Sequence, residues 1–287
     1  MNARRESKKV FVGDVAVGGD APITVQTMTK TDTRDAQATI RQIHELAEVG
    51  CDIVRLAVPD ATAARQLSVI VPASPIPVIA DIHFDHRLAL AALEAGVHGL
   101  RLNPGNVRKP EHVRAVVAGA RERHVPIRIG VNAGSLPPLD KAALSGDGAE
   151  PSTVDRMVDV ALAHVRILED LDFDLIKISL KAFDVQTTVD AYVRMAALVP
   201  YPLHLGFTEA GSSWTGSIRS AVGLGVLLHM GIGDTLRVSL SAPPAEEVAA
   251  GYEILKSLGL RERGAVLVSC PTCGRVEVDL LSLVRQV

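Results

Sequence analysis

Polar side chains recur at every second position along several short apolar runs of this sequence. The run Leu175–Lys181 shows the pattern clearly, because its lysines and serine alternate with isoleucine and leucine. Side chains of a β-strand alternate between its two faces, so each polar set shares one face. The polar positions are Arg55, Asp81, His83, Arg101, Asn103, Arg128, Asn132, Lys177, Ser179, Lys181, Arg237, Ser239 and Ser241.

These polar faces carry much more positive than negative charge. The cations are Arg55, Arg101, Arg128, Lys177, Lys181 and Arg237. Asp81 and Glu209 are the expected nearby acids. An unpaired buried charge costs several kcal/mol, so we expect an anion to complete the site, and a polyphosphate matches arginine geometry best. For any single arginine the alternative is a solvated or ion-paired strand end, but the shared register favours an anion site.

Other residues offer different chemistry close to these cations. Glu209 provides a carboxylate for proton transfer or for a substrate hydroxyl, and a salt bridge to Lys181 is the alternative. The turn from Asn132 to Ser135 contains a glycine that lets backbone N–H groups approach a ligand, which makes Ser135 a candidate contact. Asp81 and His83 could bind substrate hydroxyls or a metal, but no third metal ligand is evident.

A pair of cysteines, Cys270 and Cys273, lies near the end of the sequence in a Cys-Pro-Thr-Cys-Gly motif. The motif is compatible with a redox pair, with half of a zinc site or with half of an iron–sulfur site. Spacing alone does not choose among the three. Cys51 is best explained as a small apolar residue of the core.

The elements that must position these residues are eight short β-branched or apolar runs, most of them followed by a helical pattern. The strand runs are Ile23–Met28, Ile53–Val58, Val78–His83, Gly99–Asn103, Ile127–Asn132, Leu175–Lys181, Leu203–Thr208 and Leu236–Ser241. The helical patterns are Thr39–Val49, Leu88–Ala95, Glu111–Arg123, Val154–Leu171, Val185–Leu198, Ser217–Met230 and Glu246–Leu258. The alternation predicts an α/β fold, a closed (β/α)8 TIM-type barrel, with an open doubly wound sheet as the alternative.

In such a barrel the outer face of each strand packs against helices, so the polar faces point into the interior. Two segments stand apart from the repeating pattern. Pro137–Ser152 is a long loop expected at the C-terminal face, where it could act as a lid. Ala265–Ser269 is a ninth strand-like run, and the cysteine motif and the start of an amphipathic helix follow it.

Composition limits the class of protein. The 287 residues are 47% apolar, 22% charged and only 3% aromatic, which favours an aliphatic core of helices over a parallel sheet. The net charge of −3 gives no reason to expect nucleic acid or an anionic membrane as a partner. No membrane span or signal peptide is evident, and three cysteines make no disulfide framework. We therefore expect a protein of the bacterial cytoplasm.

Several long motifs resemble the family of 4-hydroxy-3-methylbut-2-en-1-yl diphosphate synthase, of the non-mevalonate isoprenoid pathway. The resemblance extends in order from about Val12 to the last residues. The motifs are Val78–Phe84, Arg101–Asn106, Pro126–Ser135, Pro202–Gly211, Gly231–Leu240 and Ser269–Arg275.

The resemblance implies reductive ring opening and dehydration of 2-C-methyl-D-erythritol 2,4-cyclodiphosphate to 4-hydroxy-3-methylbut-2-enyl diphosphate. A 4Fe–4S cluster would deliver two electrons, one at a time, from ferredoxin or flavodoxin. Glu209 matches the family's barrel acid, and Cys270 and Cys273 match two of three cysteine ligands. The family positions that hold the diphosphate match Arg55, Arg101, Arg128, Asn132, Lys181, Arg237 and Ser239.

The resemblance also implies a domain organisation. Residues 1–264 would form the substrate-binding barrel, and residues 265–287 would begin a C-terminal iron–sulfur domain. The family's third cysteine and its glutamate ligand would lie beyond Val287, so we expect a portion of a longer protein that is inactive alone. Family members are homodimers in which one subunit's cluster domain closes over the other's barrel. The alternatives are a non-catalytic diphosphate-binding barrel and a cofactor-free lyase or synthase that uses Glu209 and Lys181.

Overall fold

The computed structural model describes residues 2–83, 85–102, 109–138 and 150–286. A short N-terminal hairpin precedes a barrel of alternating strands and helices. The strands are β1 (Val10–Val12), β2 (Val15–Val17), β3 (Thr24–Met28), β4 (Ile53–Ala57), β5 (Val78–Ile82), β6 (Gly99–Leu102), β7 (Ile127–Asn132), β8 (Ile176–Lys181), β9 (His204–Gly206) and β10 (Thr235–Arg237). The helices are α1 (Ala36–Glu48), α2 (Ala61–Ala73), α3 (His86–Glu94), α4 (Pro110–Glu122), α5 (Thr153–Glu169), α6 (Val185–Leu198), α7 (Ser213–His229), α8 (Pro244–Ser257) and α9 (Leu280–Gln286).

The eight strands from β3 to β10 form one parallel sheet that closes on itself. Their order is β8-β7-β6-β5-β4-β3-β10-β9. The two ends of this order meet where Ile178 bridges Leu203, and the Ile178 N–H donates to the carbonyl of Pro202 at 3.0 Å. A closed sheet confirms the predicted TIM-type barrel and excludes the open doubly wound alternative.

Local signals at the helix N-termini explain where several helices begin. Asp35, Asp60, Asp85 and Asp184 each accept a backbone N–H of the first turn, and Ser152 forms a full capping box with Asp155. The helix α2 was not among the predicted helices. Its buried residues follow the helical period, and Pro72 lies in its last turn.

The residues of the strands divide by face as the sequence alternation predicts. On β8, Ile176, Ile178 and Leu180 are buried against the helices, and they belong to the aliphatic core between sheet and helices. The intervening lysines and serine point into the barrel, where register places Arg128 beside Lys177 and Asn132 beside Lys181. The two faces of each strand therefore carry different chemistry, one aliphatic and one polar.

The hairpin of β1 and β2 closes the end of the barrel at which the strands begin, called here the lower end. Val12 and Val17 are fully buried and pack in one cluster with Ile53 and Ile79, which lie on the inward faces of β4 and β5. The sequence analysis did not identify this hairpin. Among the described residues, apolar side chains fill the lower end, and the polar interior opens toward the upper end, where the strands finish.

The last residues leave the barrel at the lower end. The Arg261 guanidinium donates to the carbonyl of Ile23 at 2.8 Å, just before β3, and Arg263 stacks over the Tyr252 ring at 4.6 Å. The predicted strand Ala265–Ser269 is wrong, because this segment is exposed and pairs with no described strand. The expected helix after the cysteine motif is present as α9.

Candidate active site

A cavity of about 340 Å³ opens at the upper end of the barrel. The ends of six strands and the segments that follow β9 and β10 contribute its walls. It is lined by Arg55, Asp81, His83, Arg101, Arg128, Asn132, Lys181, Phe207, Thr208, Glu209, Arg237 and Ser239. Side chains that are distant in sequence thus converge on a single space, as expected for a barrel whose chemistry lies at the strand C-termini.

On one side of the cavity, Asp81 pairs with two arginines. Its carboxylate lies 3.7 Å from the Arg55 Nε and 3.3 Å from the Arg101 Nη1, and the His83 Nε2 is 3.5 Å away. Burial alone would raise the pKa of Asp81, but the charge of Arg55, the hydrogen bond with His83 and the charge of Arg101 outweigh it and hold this pKa below its usual range. Asp81 therefore remains ionised and holds both guanidinium groups in place.

Arg237 pairs with an acid that the sequence analysis did not identify. The Arg237 Nε lies 3.4 Å from the carboxylate of Glu247, which is only 1% exposed and belongs to the first turn of α8. The sequence signal was weak, because Glu247 is one of two adjacent glutamates at a helix N-terminus, where acids are common. The helical period places it on the same face as Gly251 and Leu255, which is the buried face of α8.

The opposite side of the cavity has cations without acids. Arg128 is 1% exposed; its Nη1 donates to the Ser179 hydroxyl, while its Nε and Nη2 are buried without a hydrogen-bond partner in the described structure. For Lys181, the described residues offer no carboxylate within 4.0 Å. Burial, followed by the charges of neighbouring arginines, lowers the pKa of both groups well below the usual values. This side is the place where an anion would bring the largest electrostatic gain.

Lys177 lies apart from the other cations. It is 1% exposed, its Nζ has no hydrogen-bond partner among the described residues, and it does not line the cavity. Burial and then the charge of Arg128 lower the pKa of Lys177 to about 7. His204 is also fully buried and does not line the cavity.

Two strand glycines make room for the long cationic side chains. A Cβ built on Gly130 would lie 2.7 Å from the Arg101 Nε, and one on Gly206 would lie 2.6 Å from the Lys181 Nζ. The Gly130 carbonyl also accepts a hydrogen bond from Arg101 at 3.3 Å. A glycine within a strand marks close approach of another group, and this signal was available in the sequence.

Glu209 lies at the rim of the cavity in a backbone conformation that is unusual for its type. Its φ is 54°, in the left-handed region, and its side chain is exposed. No salt bridge joins Glu209 to Lys181 or to any other described residue, so the ion-pair alternative has no support in the geometry. Arg219 donates to the Ala210 carbonyl at 2.6 Å and thereby helps to fix the turn. A non-glycine residue held at positive φ beside a cavity is typical of functional sites.

The remaining predicted site residues differ in their positions. Asn132 and Ser239 line the cavity. Ser135 is exposed in a short 3-10 turn (Ala133–Ser135) after β7, and its hydroxyl donates to the Asn132 carbonyl at 3.1 Å instead of lining the cavity. Asn103 lies outside the described residues, as does most of the predicted lid, 139–149.

Cys270 and Cys273 are exposed and free. A backbone and a side-chain hydrogen bond with Arg275 lower the pKa of the Cys273 thiol, which favours the thiolate that binds metals. No group of three or more metal-ligating side chains occurs within the described ranges. The pair thus fits two positions of a metal cluster, but the described residues do not fit a complete four-ligand site.

The arrangement can bind a compact, multiply charged anion and present it to one carboxylate at the rim. Five cations from five strands surround the cavity, and two of the three nearby acids are already engaged with arginines. Comparison with known families adds the deciding observation, since the GcpE TIM-barrel domain matches residues 7–252. The chain belongs to the GcpE family.

Relatives of this GcpE chain match along its whole length. A protein of Dehalococcoides mccartyi is 60% identical over 287 residues, which are 100% of this chain and 80% of that protein. One of Geobacter sulfurreducens is 58% identical over 284 residues, 99% of this chain and 79% of that protein. Both are named 4-hydroxy-3-methylbut-2-en-1-yl diphosphate synthase (flavodoxin). The resemblance found in the sequence motifs is thus confirmed.

Solved structures support the barrel alone. Dihydropteroate synthase from Stenotrophomonas maltophilia superposes with a TM-score of 0.64 at 15% identity, over 88% of this GcpE chain and 97% of that one. At this identity the likeness concerns the fold and not the chemistry. In the described part of the chain, no helix is both long enough and apolar enough to cross a membrane.

Proposed function

We propose that this protein is a 4-hydroxy-3-methylbut-2-en-1-yl diphosphate synthase. It converts 2-C-methyl-D-erythritol 2,4-cyclodiphosphate to 4-hydroxy-3-methylbut-2-enyl diphosphate in isoprenoid biosynthesis. Two electrons and a proton are consumed, the ring opens, and one hydroxyl leaves as water. The observation that carries this proposal is the set of converging cations, of which Arg128 and Lys181 have no acidic partner among the described residues.

The diphosphate of the substrate binds among the cations of the cavity. Arg128 and Lys181 supply uncompensated charge, while Arg55, Arg101 and Arg237 are held at fixed positions by acids and point donors into the same space. Asn132 and Ser239 add neutral donors. Arginine forks match the oxygens of phosphate groups, and fixed donors lose little entropy on binding. Asp81 and His83 contact substrate hydroxyls.

Ser135 and Lys177 were also predicted to bind substrate, and they contribute less directly; for Asn103, which lies outside the described residues, substrate binding stays a prediction. Ser135 stands next to Asn132 at the rim, from which a ligand longer than the cavity could reach it. Lys177 acts through its charge beside Arg128, because it is buried below the cavity.

Glu209 serves as the acid of the barrel. Its exposed carboxylate is free of ion pairs with described residues and belongs to the wall of the cavity, so it can reach a hydroxyl of a bound substrate. Protonation of that hydroxyl makes it a better leaving group, since water leaves more readily than hydroxide. The left-handed backbone at Glu209 sets the direction in which its side chain leaves the main chain.

The reaction needs two electrons, which would come from flavodoxin, as the names of the relatives specify, or from ferredoxin. Cys270 and Cys273 would hold two positions of the 4Fe–4S cluster that supplies one-electron chemistry. The segment 265–287 would begin the cluster domain, and its entry at the lower end, opposite the cavity, supports a homodimer in which the cluster of one subunit serves the barrel of the other. The remaining ligands are absent from the described residues, so no electron-transfer step is assigned to these side chains. We place the protein in the bacterial cytoplasm.

Calorimetric titration of the protein with the cyclic diphosphate, comparing the wild type with Arg128→Ala, tests the binding site. Loss of a buried charged contact costs about 2 kcal/mol or more, so the affinity should fall at least about 30-fold. Arg65→Ala is a matched control, because Arg65 is exposed on α2 and contacts only Thr62 among the described residues. Its affinity should equal that of the wild type.

Equal affinity of wild type and Arg128→Ala would contradict this assignment of the cavity. A wild type that binds inorganic diphosphate but not the cyclic diphosphate would keep the anion site and reject the substrate. Circular dichroism and thermal melting of each variant would show that a loss of affinity does not reflect unfolding.

A further inference from the structure

Glu247 is a buried acid close to the cavity but not part of its lining. It lies in the first turn of α8, behind the wall formed by the end of β10 and the residues that follow. A buried carboxylate is costly unless donors satisfy it. The donors around the Glu247 carboxylate therefore show which parts of the structure it connects.

The two oxygens of Glu247 divide four donors between them. Oε2 accepts from the Thr27 hydroxyl at 2.6 Å and lies 3.4 Å from the Arg237 Nε. Oε1 accepts from the Leu240 N–H at 3.0 Å and lies 3.3 Å from the Lys30 Nζ. The carboxylate thus connects the end of β3, the end of β10 and the segment after β10.

These contacts constrain the two cavity residues that β10 and its following segment supply. The bond to Nε fixes the plane of the Arg237 guanidinium while its terminal nitrogens remain available to a ligand. The bond to the Leu240 N–H fixes the backbone next to Ser239. Lys30 adds to this fixation, since its Nζ also donates to the carbonyls of Leu240 and Ala242.

We propose that Glu247 is a positioning residue, which sets the Arg237 guanidinium in the arrangement that accepts the diphosphate. It does not touch the ligand, and it acts through Arg237. The inference rests on the proposed function for the identity of the substrate. The positioning of Arg237 should affect the binding of any diphosphate that enters the cavity.

The substitution Glu247→Gln separates positioning from simple charge balance by the sign of its effect. Removal of a negative charge makes the cavity more positive. If Glu247 served only as a counter-charge, Glu247→Gln would therefore bind anions more tightly. If Glu247 positions Arg237, the variant should bind anions more weakly. Glutamine replaces one carboxylate oxygen with an NH2 group, so it cannot accept hydrogen bonds from both the Arg237 Nε and the Leu240 N–H. We expect the affinity for inorganic diphosphate and for the cyclic diphosphate to fall about tenfold.

A double-mutant cycle with Arg237→Ala identifies the route of the effect. In the Arg237→Ala background, Glu247→Gln should change the affinity less than twofold, since the group it positions is already absent. In steady-state assays of the cluster-loaded protein with its reductant, Glu247→Gln should raise KM about tenfold and lower kcat less than threefold. Glu247→Asp, which keeps the charge, should restore part of the affinity.

The adjacent Glu246 provides a matched control. It is exposed, and its carboxylate accepts a hydrogen bond from the Ser213 hydroxyl at 2.5 Å. Glu246→Gln makes the same change of charge one residue away and should leave the diphosphate affinity within twofold of the wild type. If Glu247→Gln fails to fold, Thr27→Val removes one donor and keeps the charge; a two- to fivefold loss that disappears in Arg237→Ala is expected.

Tighter or unchanged binding by folded Glu247→Gln, or a full tenfold effect in the Arg237→Ala background, would overturn the positioning role. The two probes keep this outcome distinct from failure of the proposed function. If Glu247→Gln weakens the binding of inorganic diphosphate and the wild type does not bind the cyclic diphosphate, the positioning role stands and the proposed substrate is incorrect.

Discussion

The two sides of the cavity differ in how their cations are balanced. On the side of β4, β5, β6 and β10, Asp81 holds Arg55 and Arg101, and Glu247 holds Arg237. On the side of β7 and β8, Arg128, Lys177 and Lys181 meet no carboxylate of the described chain within 4.0 Å. The paired side has its geometry before a ligand arrives, whereas the unpaired side carries the charge that a ligand must neutralise. Binding strength and binding geometry are thus supplied by different residues.

The largest expected effect comes from breaking the paired side with Asp81→Asn. This change leaves Arg55 and Arg101 buried without their acid, and loss of one partner of a buried pair costs about 3–5 kcal/mol. Urea denaturation without ligand should give a free energy of unfolding lower by about that amount. Asp20→Asn, which removes an exposed partner of Lys9, should leave it nearly unchanged.

The pH dependence sharpens the same prediction. The folded pKa of Asp81 is depressed, so its contribution is present above the unfolded value of about 3.9 and is lost as pH falls toward the folded pKa. The wild type should therefore lose stability below about pH 4 more steeply than Asp81→Asn. Equal acid dependence of the two proteins would contradict the pairing.

A smaller effect of opposite sign is expected on the unpaired side from Lys177→Met. The pKa of Lys177 is lowered to about 7, and between this value and about 10.5 the unfolded chain holds a proton that the folded chain lacks. The cost of the buried lysine is complete below pH 7 and declines as pH rises. Thermal or urea unfolding should find the variant more stable by about 2 kcal/mol at pH 6, with the difference gone near pH 10.5.

Lys8→Met is the comparison for that experiment, because Lys8 is an exposed lysine that pairs with Asp174. Its stability difference from the wild type should stay below about 1 kcal/mol and vary little between pH 6 and pH 10. A Lys177→Met variant that is less stable at pH 6 would mean that Lys177 is satisfied in the folded protein.

The smallest expected effect comes from crowding the unpaired side with Gly206→Ala. The new methyl group would lie 2.6 Å from the Lys181 Nζ and 2.7 Å from the Arg237 carbonyl, so both the lysine and the adjoining backbone of β10 must shift. We expect the diphosphate affinity to fall about tenfold, equivalent to about 1.4 kcal/mol, by titration. Gly225→Ala on α7, where nothing lies within 4 Å, should leave the affinity unchanged.

Much of the barrel and its cationic interior could be predicted because alternation is a local signal. Lys177 and Lys181 share a face by strand geometry alone, and the need of the outer face for aliphatic side chains decides which way they point. Glu247 could not be found in this way, since its closest contact, with Thr27, joins residues 220 positions apart. Only the folded chain brings that helix N-terminus against that strand.

Three local errors have separate causes. The hairpin of β1 and β2 was missed although Gly13, with a φ of 60°, and Asp14 join two short alternating runs in a recognised turn sequence. The helix α2 was missed although its buried residues follow the helical period, and Pro72 in its last turn is the one residue that argues against a helix there. Ala265–Ser269 has the composition of a strand, but without a neighbouring edge its backbone groups have no ladder to join.

The hairpin at the lower end has a kinetic consequence. Because apolar side chains of β1 and β2 fill that end among the described residues, substrate and product share the cavity at the upper end. A product that retains its diphosphate occupies the same cations as the next substrate. Release of the product must precede each new turnover, and product inhibition should be competitive with respect to substrate.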